Sequence, residues 1–212
     1  MTHGMTAEPA AQANGTFDGS GIDGPAYLDV VHSAQQAPAW INHLINDYSA
    51  YGLALFAVLM LLGWWRARNR HPEQAAQALT VPVITVGAFA ISSLLKLVVR
   101  EARPCQSLHV VTLEACPAPG DWSFPSNHAT LAAAAAVALW FVSTRLGAIA
   151  AAFALAMAAS RVWVGAHYPH DIAAGLAVGA LVAAALSVLV RSQAPVLSRI
   201  LGRGPLRSLI AS

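Results

Sequence analysis

Long apolar runs alternate with short polar stretches along most of this chain. Five runs stand out, at about 49–65, 76–99, 128–144, 147–164 and 171–190. Each approaches the ~20 residues that an α-helix needs to cross the hydrocarbon core of a bilayer. The last three are rich in Ala and Gly, small residues that let helices pack closely in lipid. Trp64, Trp65, Trp140, Trp163 and Tyr168 fall near the ends of runs, where aromatic belts sit. The pattern predicts an all-α fold, an integral membrane bundle of about five transmembrane helices. A weaker pattern precedes them: Tyr27, Leu28, Val30 and Val31, then Trp40, Ile41, Leu44 and Ile45 at the i, i+1, i+4, i+5 spacing of one helical face. Residues 25–48 therefore read as one or two amphipathic helices lying on the membrane surface. A sixth span is the alternative. Residues 1–24 are polar, lack the basic start and apolar stretch of a signal peptide, and read as a disordered tail. The membrane domain is expected over 49–192 and a cytoplasmic tail over 193–212.

Composition strengthens the membrane reading. Hydrophobic residues make up 57% of the chain and charged residues 10%, against roughly 25% charged in a soluble domain. Charge this sparse cannot coat a soluble bundle. The formal net charge of +2 and the absence of any basic run exclude a nucleic-acid partner. The distribution of charge predicts orientation. Arg66, Arg68, Arg70, Arg145, Arg191, Arg199, Arg203 and Arg207 fall on one side, expected to be the cytoplasm. Lys96, Arg100, Arg103, Arg161 and every acidic residue except Glu73 fall on the other. An odd number of spans then puts the N-terminus outside and the C-terminus inside. The two cysteines, Cys105 and Cys116, share the long outer loop. An oxidising compartment permits a disulfide there, and a bridge that stiffens the loop is expected.

Three polar clusters sit at the outer ends of the expected helices: Lys96 to Arg103-Pro104, Phe124-Pro125-Ser126-Asn127-His128, and Ser160-Arg161 to His167-Tyr168-Pro169-His170-Asp171. Strong charge at the ends of apolar helices is costly unless it serves a site. Lys96, Arg103 and Arg161 can neutralise a phosphoryl group, Arg through its planar fork and Lys as a point charge. Ser126 can donate a hydroxyl hydrogen bond, and its turn opens a helix whose N-terminal amides suit an anion. It is also a natural N-cap. His167 and Asp171 are four residues apart, so on a helical turn the carboxylate can hold one ring nitrogen and leave the other free as a nucleophile. His128 can then protonate a leaving oxygen and later activate water. No metal or other cofactor is called for, because the three cations supply the electrostatic stabilisation. Arg100 and His170 read instead as interfacial polar residues.

These residues resemble the type 2 phosphatidic acid phosphatase superfamily of membrane lipid phosphatases. The family pattern is Lys-x6-Arg-Pro, then Pro-Ser-Gly-His, then Ser-Arg-x5-His-x3-Asp. Here it reads as Lys96 to Arg103-Pro104, Pro125-Ser126-Asn127-His128, and Ser160-Arg161 to His167 to Asp171. The resemblance spans about residues 50–190. It implies a phosphohistidine at His167, oriented by Asp171, with His128 as acid and base. It also implies a phosphoryl group held by Lys96, Arg103, Ser126 and Arg161. Asn127 stands where the family usually has Gly and joins the expected phosphate-binding set, since it keeps a backbone N–H and tolerates unusual backbone angles. Within the superfamily, Asn46 to Gly52, Ser123 to Thr130 and Ser160 to Pro169 are similar to the bacitracin-resistance type of undecaprenyl pyrophosphate phosphatase, a branch that commonly lacks the residue seen here as Lys96. The implied partner is a polyprenyl pyrophosphate, or alternatively a phospholipid phosphate such as phosphatidate or phosphatidylglycerophosphate. Two other readings are weaker. A vanadate-dependent haloperoxidase shares the anion site but is soluble, and a lipid transporter with a decayed site conflicts with complete motifs.

Overall fold

The computed structural model describes residues 16–203 and 208–210, and within them the chain is α-helical with one isolated β-bridge. Eight helices follow in order: α1 Ser20–Gln36, α2 Ala39–Tyr51, α3 Leu53–Arg68, α4 Pro72–Val99, α5 Pro104–Leu108, α6 Asn127–Val142, α7 Thr144–Trp163 and α8 Pro169–Arg203. The five apolar runs correspond to α3, α4, α6, α7 and α8. Among the described residues α4, α7 and α8 are long and apolar enough to cross a membrane. Helices α2 and α3, bent by 53° at their junction, qualify together as a fourth, and α6 is a shorter apolar helix. The helices that qualify thus number three or four, where about five were expected.

The centre of the bundle is α6. Its alanines at 129, 132, 134, 135 and 138 are almost completely buried, and α7, α8 and α4 pack around it. Small residues make this possible, because without a hydrophobic drive between helices in lipid, close backbone approach supplies the contact. Helix α8 comes nearest. A Cβ placed on Gly175 would lie 2.5 Å from the Ser126 carbonyl, and one on Gly179 would lie 2.3 Å from that of Thr130. Only glycine fits at these two positions. The close contact brings the first turn of α8 against the first turn of α6, where the Ser126 amide donates to the Asp171 carbonyl at 3.1 Å. Outward-facing Val83, Val86, Leu94, Leu97, Leu155, Leu181 and Val188 are all exposed, as a lipid-facing surface requires.

The N-terminal segments depart from the sequence reading. Helix α1 starts at Ser20, inside the stretch read as a tail, whose residues 1–15 lie outside those described. Helix α1 does not simply rest on the surface. Tyr27 is fully buried, donates its hydroxyl to the Gly165 carbonyl at 2.9 Å, and meets the Tyr168 ring at 5.4 Å between centroids. Its cluster also includes Val31, Ala129, Ala158, Val162 and Ile172. The period of the apolar residues located the helix but could not distinguish a lipid surface from the protein core as its partner. At the other end α8 runs unbroken to Arg203, past the expected boundary at 192, and the Leu209 carbonyl accepts from the Trp64 indole at 2.8 Å. Residues 204–207 and 211–212 of the expected tail lie outside those described.

Candidate active site

The turn between α7 and α8 and the first turns of α6 and α8 converge at one end of the bundle. His167 precedes α8 and Asp171 lies in its first turn, so the four-residue spacing closes as the helical reading requires. His167 Nδ1 is 3.2 Å from Asp171 Oδ2. The same carboxylate oxygen accepts from the Tyr168 amide at 2.9 Å and from the Ser123 hydroxyl, which lies 3.3 Å from His167 Nδ1. With Nδ1 directed at the carboxylate, Nε2 carries the lone pair, and Arg103 Nη1 donates to it at 3.0 Å. His167 is 2% exposed and Asp171 0%. Burial first, and then Arg103, Lys96, Arg161 and His128, push the His167 ring well below its ordinary 6.5. The ring is therefore neutral, with a lone pair on Nε2.

The three cations are buried in the same layer. Lys96, Arg103 and Arg161 are 8%, 7% and 5% exposed, and each is compensated, as buried charge must be. Lys96, on the last turn of α4, donates to the backbone carbonyls of Trp122 and Ser123. Arg103 donates to the Ala166 carbonyl at 2.9 Å and pairs with Asp121 at 2.9 Å. Arg161, at the end of α7, donates to Ser49 Oγ at 2.6 Å and grips Glu114 with both terminal nitrogens at 2.6 and 3.0 Å. Two loop carboxylates thus occupy two of the cations. His128, one residue into α6, opens with Arg161, Glu114, Asn46 and Ser49 onto a cleft of about 400 Å³.

Ser126 is fully buried and caps α6, its hydroxyl 3.5 Å from the Ala129 amide. Asn127 turns towards α4, where its Oδ1 accepts from Ser92 Oγ at 2.7 Å. Its side chain is thereby engaged inside the bundle, and its N–H remains the group it can offer an anion. Cys105 and Cys116 are joined, with Cα atoms 5.9 Å apart, which ties α5 to the loop that carries Glu114. Arg100 ends α4 in the left-handed region (φ 52°) and bonds its own Leu97 carbonyl at 3.0 Å.

Sequence reasoning missed several members. Ser123, Glu114 and Asp121 each bond a motif residue, and the one signal for them was acidic or hydroxyl side chains in a loop of a sparsely charged protein. His170 is not a loose interfacial residue. It is stacked against Tyr168 and Phe124, with Nδ1 2.7 Å from Asp23 Oδ1 and Nε2 2.8 Å from Glu101 Oε1. Glu101 is fully buried, and that burial, together with the charge of Asp171, pushes its carboxyl up to about 7. Glu101, His170 and Asp171 offer three atoms within 4.8 Å of one another. Because both ring nitrogens of His170 already face carboxylates, the group is accounted for as an ion-pair network.

A neutral histidine held at one nitrogen, faced by three buried cations at the end of an apolar bundle, belongs to a membrane hydrolase acting on phosphate groups. Comparison with known proteins gives the family. The model of the PAP2 superfamily matches residues 77–194, and the chain belongs to that superfamily. It is a lipid phosphatase. It is 28% identical to undecaprenyl-diphosphatase BcrC of Bacillus subtilis over 152 residues, which cover 72% of this chain and 76% of the relative. It is 35% identical to a lipid A 1-phosphatase of Rhizobium johnstonii, over 72% of this chain and 69% of the relative. A decaprenylphosphoryl-5-phosphoribose phosphatase of Mycobacterium tuberculosis is 41% identical over 48% of this chain and 56% of its own length. No solved structure matches the chain significantly.

Proposed function

We propose that this protein hydrolyses a polyprenyl pyrophosphate, such as undecaprenyl pyrophosphate, to the monophosphate at the outer face of the cell membrane. The observation that carries the reading is the His167 ring, buried and neutral, with Nδ1 on Asp171 and Nε2 towards the cations. His167 Nε2 attacks the terminal phosphorus, forming a phosphorus–nitrogen bond. The bond to the bridging oxygen breaks, and the leaving polyprenyl phosphate takes a proton from His128. Water then gives a proton to His128 and attacks the phosphohistidine, releasing inorganic phosphate and restoring both rings. Lys96, Arg103 and Arg161, with Ser126 and the backbone N–H of Asn127, hold the phosphoryl oxygens, so the negative charge developing in transfer meets fixed donors. No metal takes part.

Two further features support a lipid substrate. An apolar groove of about 480 Å³ runs between α2 and α7, lined by Leu44, Ile45, Tyr48, Phe153 and Trp163 among others. Helix α2 also lines the cleft beside His128 with Asn46, Ser49 and Ala50. An acyl or prenyl tail in the groove reaches a head group in the cleft. The placement of basic residues supports a site on the outer side, with the N-terminus outside and the C-terminus in the cytoplasm. A second reading, a phosphatase of lipid A, is favoured by the relative named lipid A 1-phosphatase. The test is phosphate release by detergent-purified protein with EDTA present, across undecaprenyl pyrophosphate, phosphatidate, phosphatidylglycerophosphate and lipid A. EDTA-resistant release from the pyrophosphate in preference to the others is expected. Preference for another lipid moves the substrate, and a metal requirement removes the mechanism.

A further inference from the structure

A cluster of charged side chains behind the site has no part in the mechanism above. His170 follows Pro169 in the first turn of α8, next to Asp171. Its Nδ1 is 2.7 Å from Asp23 Oδ1 and its Nε2 is 2.8 Å from Glu101 Oε1. Each of these contacts needs one hydrogen between two heavy atoms, so the ring and its carboxylates hold two protons between them. Asp23 also takes the backbone amide of His170 at 2.7 Å on its other oxygen. It thereby caps α8 from another helix, satisfying an amide that a helix N-terminus leaves without an internal partner.

The same cluster touches the catalytic carboxylate. Asp171 Oδ2 is fully engaged by Ser123, Tyr168 and His167. Asp171 Oδ1 is buried with no hydrogen-bond partner, and His170 Nε2 lies 3.7 Å away. The Glu101 carbonyl receives the Ser123 amide at 2.7 Å, so the residue that grips His170 also places the serine that grips Asp171. The N-terminal segment closes the cluster. Phe17 pairs with the strand-like stretch at Glu101, its amide on the Arg100 carbonyl at 3.1 Å and its carbonyl on the Ala102 amide at 2.9 Å. Gly19 is pressed against the carboxylate, since a Cβ there would fall 1.8 Å from Glu101 Oε1.

We propose that His170 is a positioning residue for the Asp171–His167 pair, and that Asp23 and Glu101 make it a strut through which the N-terminal segment fixes the first turn of α8. Its shared proton compensates the unpartnered Asp171 oxygen, and its clamp sets the angle at which Asp171 meets the His167 ring. Small misplacements of this kind cost about 10- to 100-fold in turnover. The inference rests on the phosphatase reading, and it is read in two ways that do not depend on each other.

The experiment uses the full chain in detergent and compares wild type with Asp23→Asn, Glu101→Gln, His170→Gln and the Asp23→Asn/His170→Gln double variant. Hydrogen exchange of the segment 167–172 reads the strut without any turnover. Faster exchange there in Asp23→Asn and His170→Gln is expected, with the far ends of α4 and α7 unchanged, which also reports that the variants fold. Phosphate release reads the consequence: kcat falls about tenfold or more and KM stays within about twofold, because the strut touches no substrate. The double variant falls little below the worse single one, since both changes cut one strut. Unchanged exchange overturns the proposal, and so does faster exchange with wild-type kcat. A metal that co-purifies stoichiometrically and is lost in His170→Gln also overturns it, as the cluster would then be a metal site. A wild-type protein that releases no phosphate from any lipid sinks the phosphatase reading, and faster exchange in the variants would then leave a brace that serves no catalysis. Activity in wild type and variants alike sinks the strut alone.

Discussion

Both ends of the helical bundle gather cations, and they do so differently. At the end opposite the candidate site Arg66, Arg70 and Arg145 line a cleft of about 610 Å³ with Gly63, Gln74 and Thr144. All three arginines are exposed and reach water. At the site end Lys96, Arg103 and Arg161 are each under a tenth exposed, held by carbonyls and carboxylates, and accompanied by a buried histidine. The opposite cleft is the larger, yet its charges cost nothing to keep and need no partner. The charges at the site end are desolvated, which makes each hydrogen bond they offer an anion far stronger than the same bond in water. Burial of compensated charge marks the site better than cavity size does.

That comparison is tested most severely by matched conservative changes. Arg103→Lys loses the planar fork that spans Asp121, the Ala166 carbonyl and His167, and phosphate release is expected to fall about 100-fold. Arg145→Lys keeps an exposed positive charge at the end opposite the site and is expected to stay within about twofold. His167→Ala sets the floor, with no release above background while the helical content is retained. Equal losses in Arg103→Lys and Arg145→Lys would mean that buried charge is not what distinguishes the two ends.

A smaller effect concerns pH and belongs to the site end. The His167 ring in the folded protein takes a proton only well below 6.5, because burial and then the neighbouring cations oppose it. In the unfolded chain it does so at its ordinary value. Between the two the unfolded state binds more protons, so stability is full above about pH 6.5 and is lost as pH falls below it. The slope from this one group is at most about 1.4 kcal/mol per pH unit. Thermal melting in detergent below pH 6.5 is expected to show the loss, and His167→Gln to flatten it.

How much of this was legible in the sequence follows the same division. The apolar runs placed the starts of five core helices to within a few residues, because period and length are local properties, but α8 continues to Arg203, well past the end of its run. The motif residues Lys96, Arg103, His128, Arg161, His167 and Asp171 could be grouped on one face because each sits at the end of a run. What pairs with them was not legible. Glu114, Asp121 and Ser123 lie in an irregular loop whose path no period records, and Asp23 meets His170 across 147 positions. Tyr27 shows the same limit. Its place on an amphipathic helix was readable, but only tertiary packing decides that it is buried against Tyr168 rather than resting on lipid. Asn127 was expected to serve the phosphate, a role its backbone N–H keeps open, but the bond from Ser92 to its side chain was not legible, because that contact is set by how close α6 lies to α4.

The smallest expected effect concerns what the buried cations hold when no phosphate is bound. Arg161 grips Glu114 through two nitrogens, in the bidentate geometry that Arg also uses for a phosphate. A substrate phosphate on Arg161 must therefore exchange with that carboxylate. Glu114 sits on the loop tied down by Cys105–Cys116 and its side chain is 37% exposed, so water recovers part of its solvation when it leaves. Only the carboxylate side of the pair reaches water, because the Arg161 side chain is 6% exposed. Glu114→Gln keeps the size of the side chain and removes its charge, and KM is expected to fall about two- to fivefold with kcat unchanged. A rise in KM would assign Glu114 the opposite part, that of holding Arg161 in place for the substrate. In that case the site end would resemble the opposite one less still, because even its acidic residues would serve to aim the cations rather than to screen them.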